Sequence, residues 1–205
     1  MWVAVWVGQY LKYLNGGQAV NKSMVAVAIL TLALALRVVS GLDAPLWYDE
    51  GNTLLIASLD WANMVAATAA DVHPPAHYAI LWVVLKIAGN SPLAARAVSV
   101  AASLITVALV IGIGNSLGRP RAALVAGLLM AVLPFQIHYA QEARMYAMLQ
   151  MLVAAAVLLT LQRRWLLLAL VYGLMVQTHN YGWAYALTIG LFSLTNEPER
   201  LPVVP

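Results

Sequence analysis

Residues 76–88 read AHYAILWVVLKIA, and whether this segment crosses a bilayer decides the fold of the whole chain. It is apolar but short. As a helix at about 1.5 Å per residue it reaches about 20 Å, against a hydrocarbon core of about 30 Å. It also carries Lys86. Basic residues elsewhere supply the second argument, because they gather on the cytoplasmic side. The candidates are Lys12, Lys22, Arg119, Arg121, Arg163 and Arg164. If 76–88 crosses, the four arginines lie on the opposite side from the two lysines. If it stays on the outer side, all six share one side. The segment is therefore expected to be a re-entrant or juxtamembrane helix on the outer face.

Composition makes a membrane the setting. The chain is 63% hydrophobic and 9% charged, whereas soluble domains carry about 25% charged residues. Uncharged runs at Ala97–Gly118, Ala122–Gln141, Met145–Gln162 and Trp165–Asn196 are long enough to span, as is Met24–Leu42, which holds Arg37. The expected fold is all-α: a polytopic membrane protein of about five to six transmembrane helices plus the short outer helix. Cysteine is absent, which excludes disulfides, thiol nucleophiles and Cys-based metal sites. The net charge of +3 is scattered and gives no sign of a nucleic-acid partner.

The domain reading follows. Residues 1–23 form a cytoplasmic or interfacial N-terminus, with Trp2, Trp6, Tyr10 and Tyr13 at headgroup level. Residues 24–195 form the transmembrane module, and 196–205 a tail. Met24–Leu42 crosses outward, and the outer loop 43–75 holds five of the chain's eight acids. Leu93–Gly118 then crosses inward, Ala122–Tyr139 outward and Met145–Gln162 inward. Trp165–Leu194 is interrupted by THNYGW and reads equally as one kinked crossing or two short legs.

This path brings distant motifs to one face. The first is LWYDEGN (46–52), with Asp49 and Glu50 adjacent after an interfacial Trp-Tyr pair. The plain reading is a helix start, where acids are favoured. The second is DVHPPAHY (71–78): a helix beginning at Pro74 puts His73 near its N-cap and His77 on its first turn. Arg37 and Arg96 sit near the outer ends of their spans. Each is either a snorkelling anchor or a cation that needs an anionic partner. The fourth piece, QEARMYAM, holds Glu142, Arg144 and Tyr146. On a helix Glu142 and Tyr146 share a face, with Arg144 turned away. His179, in THNYGW, is an interhelical donor or a pocket residue.

The order of these pieces resembles the N-terminal part of GT-C-type integral membrane glycosyltransferases. The nearest likeness, over about Met24 to Trp183, is to the dolichyl-phosphate-mannose–protein mannosyltransferase and lipid A aminoarabinose transferase group. The resemblance implies a polyprenyl-phosphate-linked sugar as donor and a lipid, glycan or protein acceptor. It also implies transfer on the outer face of a membrane, such as the bacterial inner membrane. It implies that Asp49 is the catalytic acid and Glu50 its partner, and that Arg37, Arg96 and Arg144 lie near the donor phosphate. His73, His77, Glu142, Tyr146 and His179 are then pocket residues. Members of the group usually have about eleven spans, so five or six would make this chain a partial or reduced version.

The chemistry suits those residues. A phosphate leaves as a stable anion, so one carboxylate base on the acceptor is enough for inversion. Arginine's planar fork matches phosphate oxygens. Adjacent acids raise one another's pKa, and Gly51 permits an irregular backbone that could let both address one atom. Oxygen ligands from Asp49 and Glu50 also suit Mg²⁺ or Mn²⁺, although no cofactor is required. The alternative is a multi-pass transporter or a non-catalytic membrane subunit, since intramembrane charge also marks transport pathways.

Overall fold

The computed structural model describes residues 21–39, 44–70 and 72–195. Trp2, Trp6, Tyr10, Tyr13, Lys12, Asp43, Asp71 and the tail lie outside the described residues. Among those described there are ten helices and no strand. They are α1 (Lys22–Val39), α2 (Tyr48–Ser58), α3 (Trp61–Ala70), α4 (Ala76–Ala88), α5 (Pro92–Ser116), α6 (Pro120–Val132), α7 (Pro134–Ala140), α8 (Tyr146–Leu161), α9 (Trp165–Thr178) and α10 (Gly182–Thr195). The protein is an all-α, polytopic membrane bundle.

α1 and α5, at 18 and 25 residues, are long and apolar enough to cross a bilayer. The segment expected to cross as Ala122–Tyr139 is instead two helices bent by 60°. Pro134 is the cause, because it has no N–H to continue the ladder of α6. The two carbonyls that lose partners there belong to Met130 and Ala131. Arg37 reaches across from α1 and donates to both, at 3.2 and 3.0 Å.

THNYG resolves as a turn between two antiparallel legs. Tyr172, midway along α9, interacts with Thr160 at the end of α8 and with Ser193 near the end of α10. α9 therefore runs toward the Asp49 end of the bundle and α10 runs back. The turn is tight: a Cβ on Gly182 would sit 2.0 Å from the Met175 carbonyl oxygen. His179 is thus not buried mid-span, as a single crossing would have it, but lies at the bundle end that carries Asp49. α8, α9 and α10 are 16, 14 and 14 residues long. Flanking turn residues must therefore make up part of a membrane's thickness.

α4 has the expected bounds, Ala76–Ala88. Its first turn lies against the 141–145 loop, while Leu85 near its end packs with Ala94 and Ala95 at the start of α5. Both ends of α4 meet the same end of the bundle, so it lies across that end. Gly89, at φ 91°, makes the turn into α5. The helix begins at Ala76 rather than Pro74, with Pro75 as its N-cap. α2 and α3, from the expected outer loop, lie at the same end. Asp60 caps α3 by accepting the Asn63 N–H at 3.1 Å.

Four described acids and five basic residues of the termini and turns fall at opposite ends, while Arg37, Lys86, Arg96 and Arg144 lie at the acidic end. Asp49, Glu50, Asp60 and Glu142 fall at the α4 end. Lys22, Arg119, Arg121, Arg163 and Arg164 fall at the opposite end, where α1 starts and the α5–α6 and α8–α9 turns lie.

Candidate active site

Glu50 and Asp49 are neighbours in sequence with opposite surroundings. α2 is regular through both, with the Gly51 N–H donating to the Trp47 carbonyl at 3.0 Å. The irregular backbone that would let both acids address one atom is not formed. Successive side chains on a helix diverge by about 100°. Glu50 turns inward. Its Oε1 accepts Arg96 Nε at 2.9 Å and its Oε2 accepts Arg96 Nη2 at 2.7 Å. Oε1 also accepts the Ala143 N–H at 2.7 Å. Asp49 turns outward, its side chain 37% exposed.

The environment of Glu50 reverses the expected pKa effect. Burial alone would raise it, but the Arg96 hydrogen bond, the Ala143 N–H and the Arg96 charge hold the carboxyl below the ordinary glutamate range. A bidentate arginine outweighs repulsion from a partly solvated neighbour. With both oxygens engaged, Glu50 does not pair with Asp49 as a cation ligand. Among the described residues no group of three or more acids or histidines is placed to hold a metal. The Mg²⁺ or Mn²⁺ expectation on Asp49 and Glu50 does not fit this arrangement.

The three arginines separate by what they touch. Arg37 is buried, and its donors go to Ser103 Oγ and to the carbonyls of Ala33, Ala131 and Met130. Those partners are neutral, so the expected anionic partner is replaced by the carbonyl end of α6, which also favours a cation. Arg96 spends Nε and Nη2 on Glu50 and donates Nη1 to the Ala44 carbonyl at 2.7 Å. Arg144 is different. Nη1 donates to Thr53 Oγ1 at 3.0 Å, Nη2 stands 3.7 Å from Asp49 Oδ2, and Nε is buried without a partner.

Residues 141–145 are an irregular loop, not the start of a helix. The helical spacing that would put Glu142 and Tyr146 on one face and turn Arg144 away does not apply, because α8 begins only at Tyr146. Ala143 is pinned by Glu50, and the Arg144 carbonyl accepts from Ser99 Oγ at 3.3 Å. Arg144 is held against α2, and its guanidinium lies over the Tyr146 ring, 5.8 Å from the centroid. Glu142 Oε1 is 3.2 Å from His138 Nε2, while Oε2 is buried and unpartnered. Burial raises the Glu142 pKa, Glu50 and Asp49 add to the rise, and His138 and Arg144 oppose it.

The histidines complete the wall. His77 is fully buried, and neither ring nitrogen has a hydrogen-bond partner. Burial pushes its pKa down to about 4. His73 lies with its ring 5.8 Å from that of His179. The Asn180 amide donates to the Val72 carbonyl at 2.7 Å, docking the α9–α10 turn onto the HPP segment. His179 is 5.8 Å from Tyr146, and Tyr146 is 4.9 Å from Tyr139. Tyr139 and His138 on α7 open the stretch HYAQEARMY but are not among the residues expected in the site; the bend at Pro134 is the signal that could have placed them there. One turn along α8 from Tyr146, Gln150 and Leu149 line a cavity of about 310 Å³ among α5, α6, α8 and α10.

Buried polar groups are rarely left unpaired. Here Glu142 Oε2 and Arg144 Nε are unpaired in one short loop, and His77 beside them has only the Ala143 backbone near its ring. They offer donors, an acceptor and a positive charge next to a half-exposed carboxylate. No curated protein and no solved structure matches the chain. The family model for dolichyl-phosphate-mannose-protein mannosyltransferase matches residues 72–203, from just before the HPP segment past the α9–α10 hairpin. That is more than half of the 205 residues, and it includes QEARMYAM but not WYDEG. The chain belongs to this family of GT-C-type membrane glycosyltransferases.

Proposed function

We propose that the protein transfers a sugar from a polyprenyl-phosphate carrier to an acceptor at the outer face of the membrane, with inversion at the anomeric carbon. The observation that carries the reading is the Asp49–Arg144 pair, a half-exposed carboxylate 3.7 Å from a guanidinium whose Nε is unspent. Asp49 takes the proton from the acceptor hydroxyl or amine. The acceptor atom bonds to the anomeric carbon as the carbon–phosphate-oxygen bond breaks. The phosphate leaves as an anion beside Arg144, whose fixed charge stabilises it. Arg96 and Glu50 take the supporting role of holding α2 against the 141–145 loop, and Arg37 that of capping α6. The cavity along α8 suits the first units of an apolar prenyl chain. The basic turns at the far end of the bundle favour the cytoplasmic side, and that tendency supports an outer position for Asp49.

The test is Asp49→Asn in membranes holding the protein, supplied with mannosylphosphoryl farnesol and an envelope extract as the acceptor source. Release of farnesyl phosphate should fall by about 10²-fold or more, a general-base share, while binding of the donor persists. Release at the parent rate would make Asp49 a helix-start acid and nothing more.

A further inference from the structure

His179 is left over when the charges of the site have been assigned. Its Nδ1 accepts the Tyr181 backbone N–H at 3.0 Å. That bond fixes the neutral tautomer with the proton on Nε2. Burial chiefly, with His73 and Arg144 nearby, lowers its pKa, so the ring stays neutral and keeps the donor. Among the described residues the His179 ring makes no other hydrogen bond.

Its surroundings are aromatic faces. Tyr181 stacks on it at 5.2 Å with 22° between planes, and the rings of Tyr146 and His73 each lie 5.8 Å away. Beyond Tyr146 is Arg144. These contacts link a cation, a tyrosine face, a neutral ring with one unspent N–H, and Tyr181, which is 67% exposed. Glu142 Oε2, buried without a partner, belongs to the loop against whose Ala143 backbone His77 lies. A phosphate needs the cation. The uncharged remainder suits a polyhydroxylated ring, whose C–H face lies on an aromatic while its hydroxyls exchange hydrogen bonds.

We infer that His179 is a binding residue for the donor sugar, giving its Nε2–H to a sugar hydroxyl while the Tyr146 face supports the ring. This rests on the glycosyl-transfer reading above. The experiment titrates the full chain in detergent micelles with two probes, farnesyl phosphate and mannosylphosphoryl farnesol. His179→Phe keeps the stack and loses the donor. His179→Asn keeps an acceptor for the Tyr181 N–H and loses the reach. Each folded variant should bind the sugar-bearing probe about tenfold more weakly, the effect of one lost hydrogen bond, with farnesyl phosphate unchanged. Arg144→Lys should weaken both probes. If either folded His179 variant binds the sugar-bearing probe like the parent, or loses both probes alike, the assignment is overturned. If the parent itself binds farnesyl phosphate no better than farnesol, the glycosyl-transfer reading falls and takes this inference with it.

Discussion

Glu50→Gln should damage the fold more than the chemistry. In the parent, both carboxylate oxygens accept from Arg96, at 2.7 and 2.9 Å, and Oε1 also accepts from Ala143. Both side chains are 2% exposed. The glutamine amide can still accept Ala143 N–H through Oε1, but its NH₂ then opposes Arg96 Nη2, donor against donor. Arg96 is left as a buried cation without its counter-charge, a change worth about 3–5 kcal/mol. At about 2–4 °C per kcal/mol for a chain of this size, the unfolding midpoint should drop by roughly 6–20 °C. Tryptophan fluorescence during a thermal ramp in detergent reads this directly. The double variant Glu50→Leu/Arg96→Met should recover much of the loss, because it removes both charges at once. The pH dependence has a definite sign. The folded Glu50 pKa lies below its unfolded value, so its stabilisation is complete above the unfolded pKa and fades as pH falls through the folded one. The parent should lose this advantage in acid, and Glu50→Gln should have none to lose. An unchanged midpoint for Glu50→Gln at pH 7 would refute the clamp.

Three further outcomes follow from the same geometry. Arg37→Met strands the Met130 and Ala131 carbonyls and should cost about 2–5 kcal/mol by thermal unfolding; unchanged stability with weakened farnesyl phosphate binding would return Arg37 to the phosphate. Glu142 has a raised pKa, so its folded form holds the proton more tightly and stability declines as pH rises through that window; Glu142→Gln should therefore raise the midpoint at pH 8, and a lowered midpoint would contradict the buried-carboxylate account. Cysteines placed at Asn90 and Ser116, at opposite ends of α5, should be labelled by an impermeant thiol reagent from opposite sides of the membrane; labelling of both from one side would overturn the topology.

Periodicity and charge placement carry the fold a long way. The bounds of α4, its place across one end of the bundle and the separation of acids from basic turns all follow from length and positive charge. Those are properties of segments, and sequence records segments directly. The path also brings WYDEG, HPP and QEARMYAM together without any structure in hand. What sequence does not record is who faces whom. THNYG is a turn because Met175 and Gly182 approach closely, a fact about packing. Gly51 permits an irregular backbone, yet α2 stays regular because Glu50 gains more from Arg96 and Ala143 than the pair would gain from converging.

The arginines show the same limit at the level of function. In the sequence Arg37, Arg96 and Arg144 are three cations near one end of their segments, and each is equally fit to hold a phosphate. The price of burying a cation is met three ways: by carbonyls freed at a proline, by a bidentate carboxylate, and incompletely by Thr53 and a carboxylate at 3.7 Å. A saturated guanidinium has nothing left to offer a ligand unless the fold opens. The incomplete one keeps an N–H in a buried place, where leaving it unmade costs about 1–3 kcal/mol. A ligand anion that fills the vacancy recovers that cost on binding. The arginine least well served by the protein is therefore the one best placed to serve a substrate, and it sits between Asp49 and the aromatic rings of Tyr146, His179 and Tyr181.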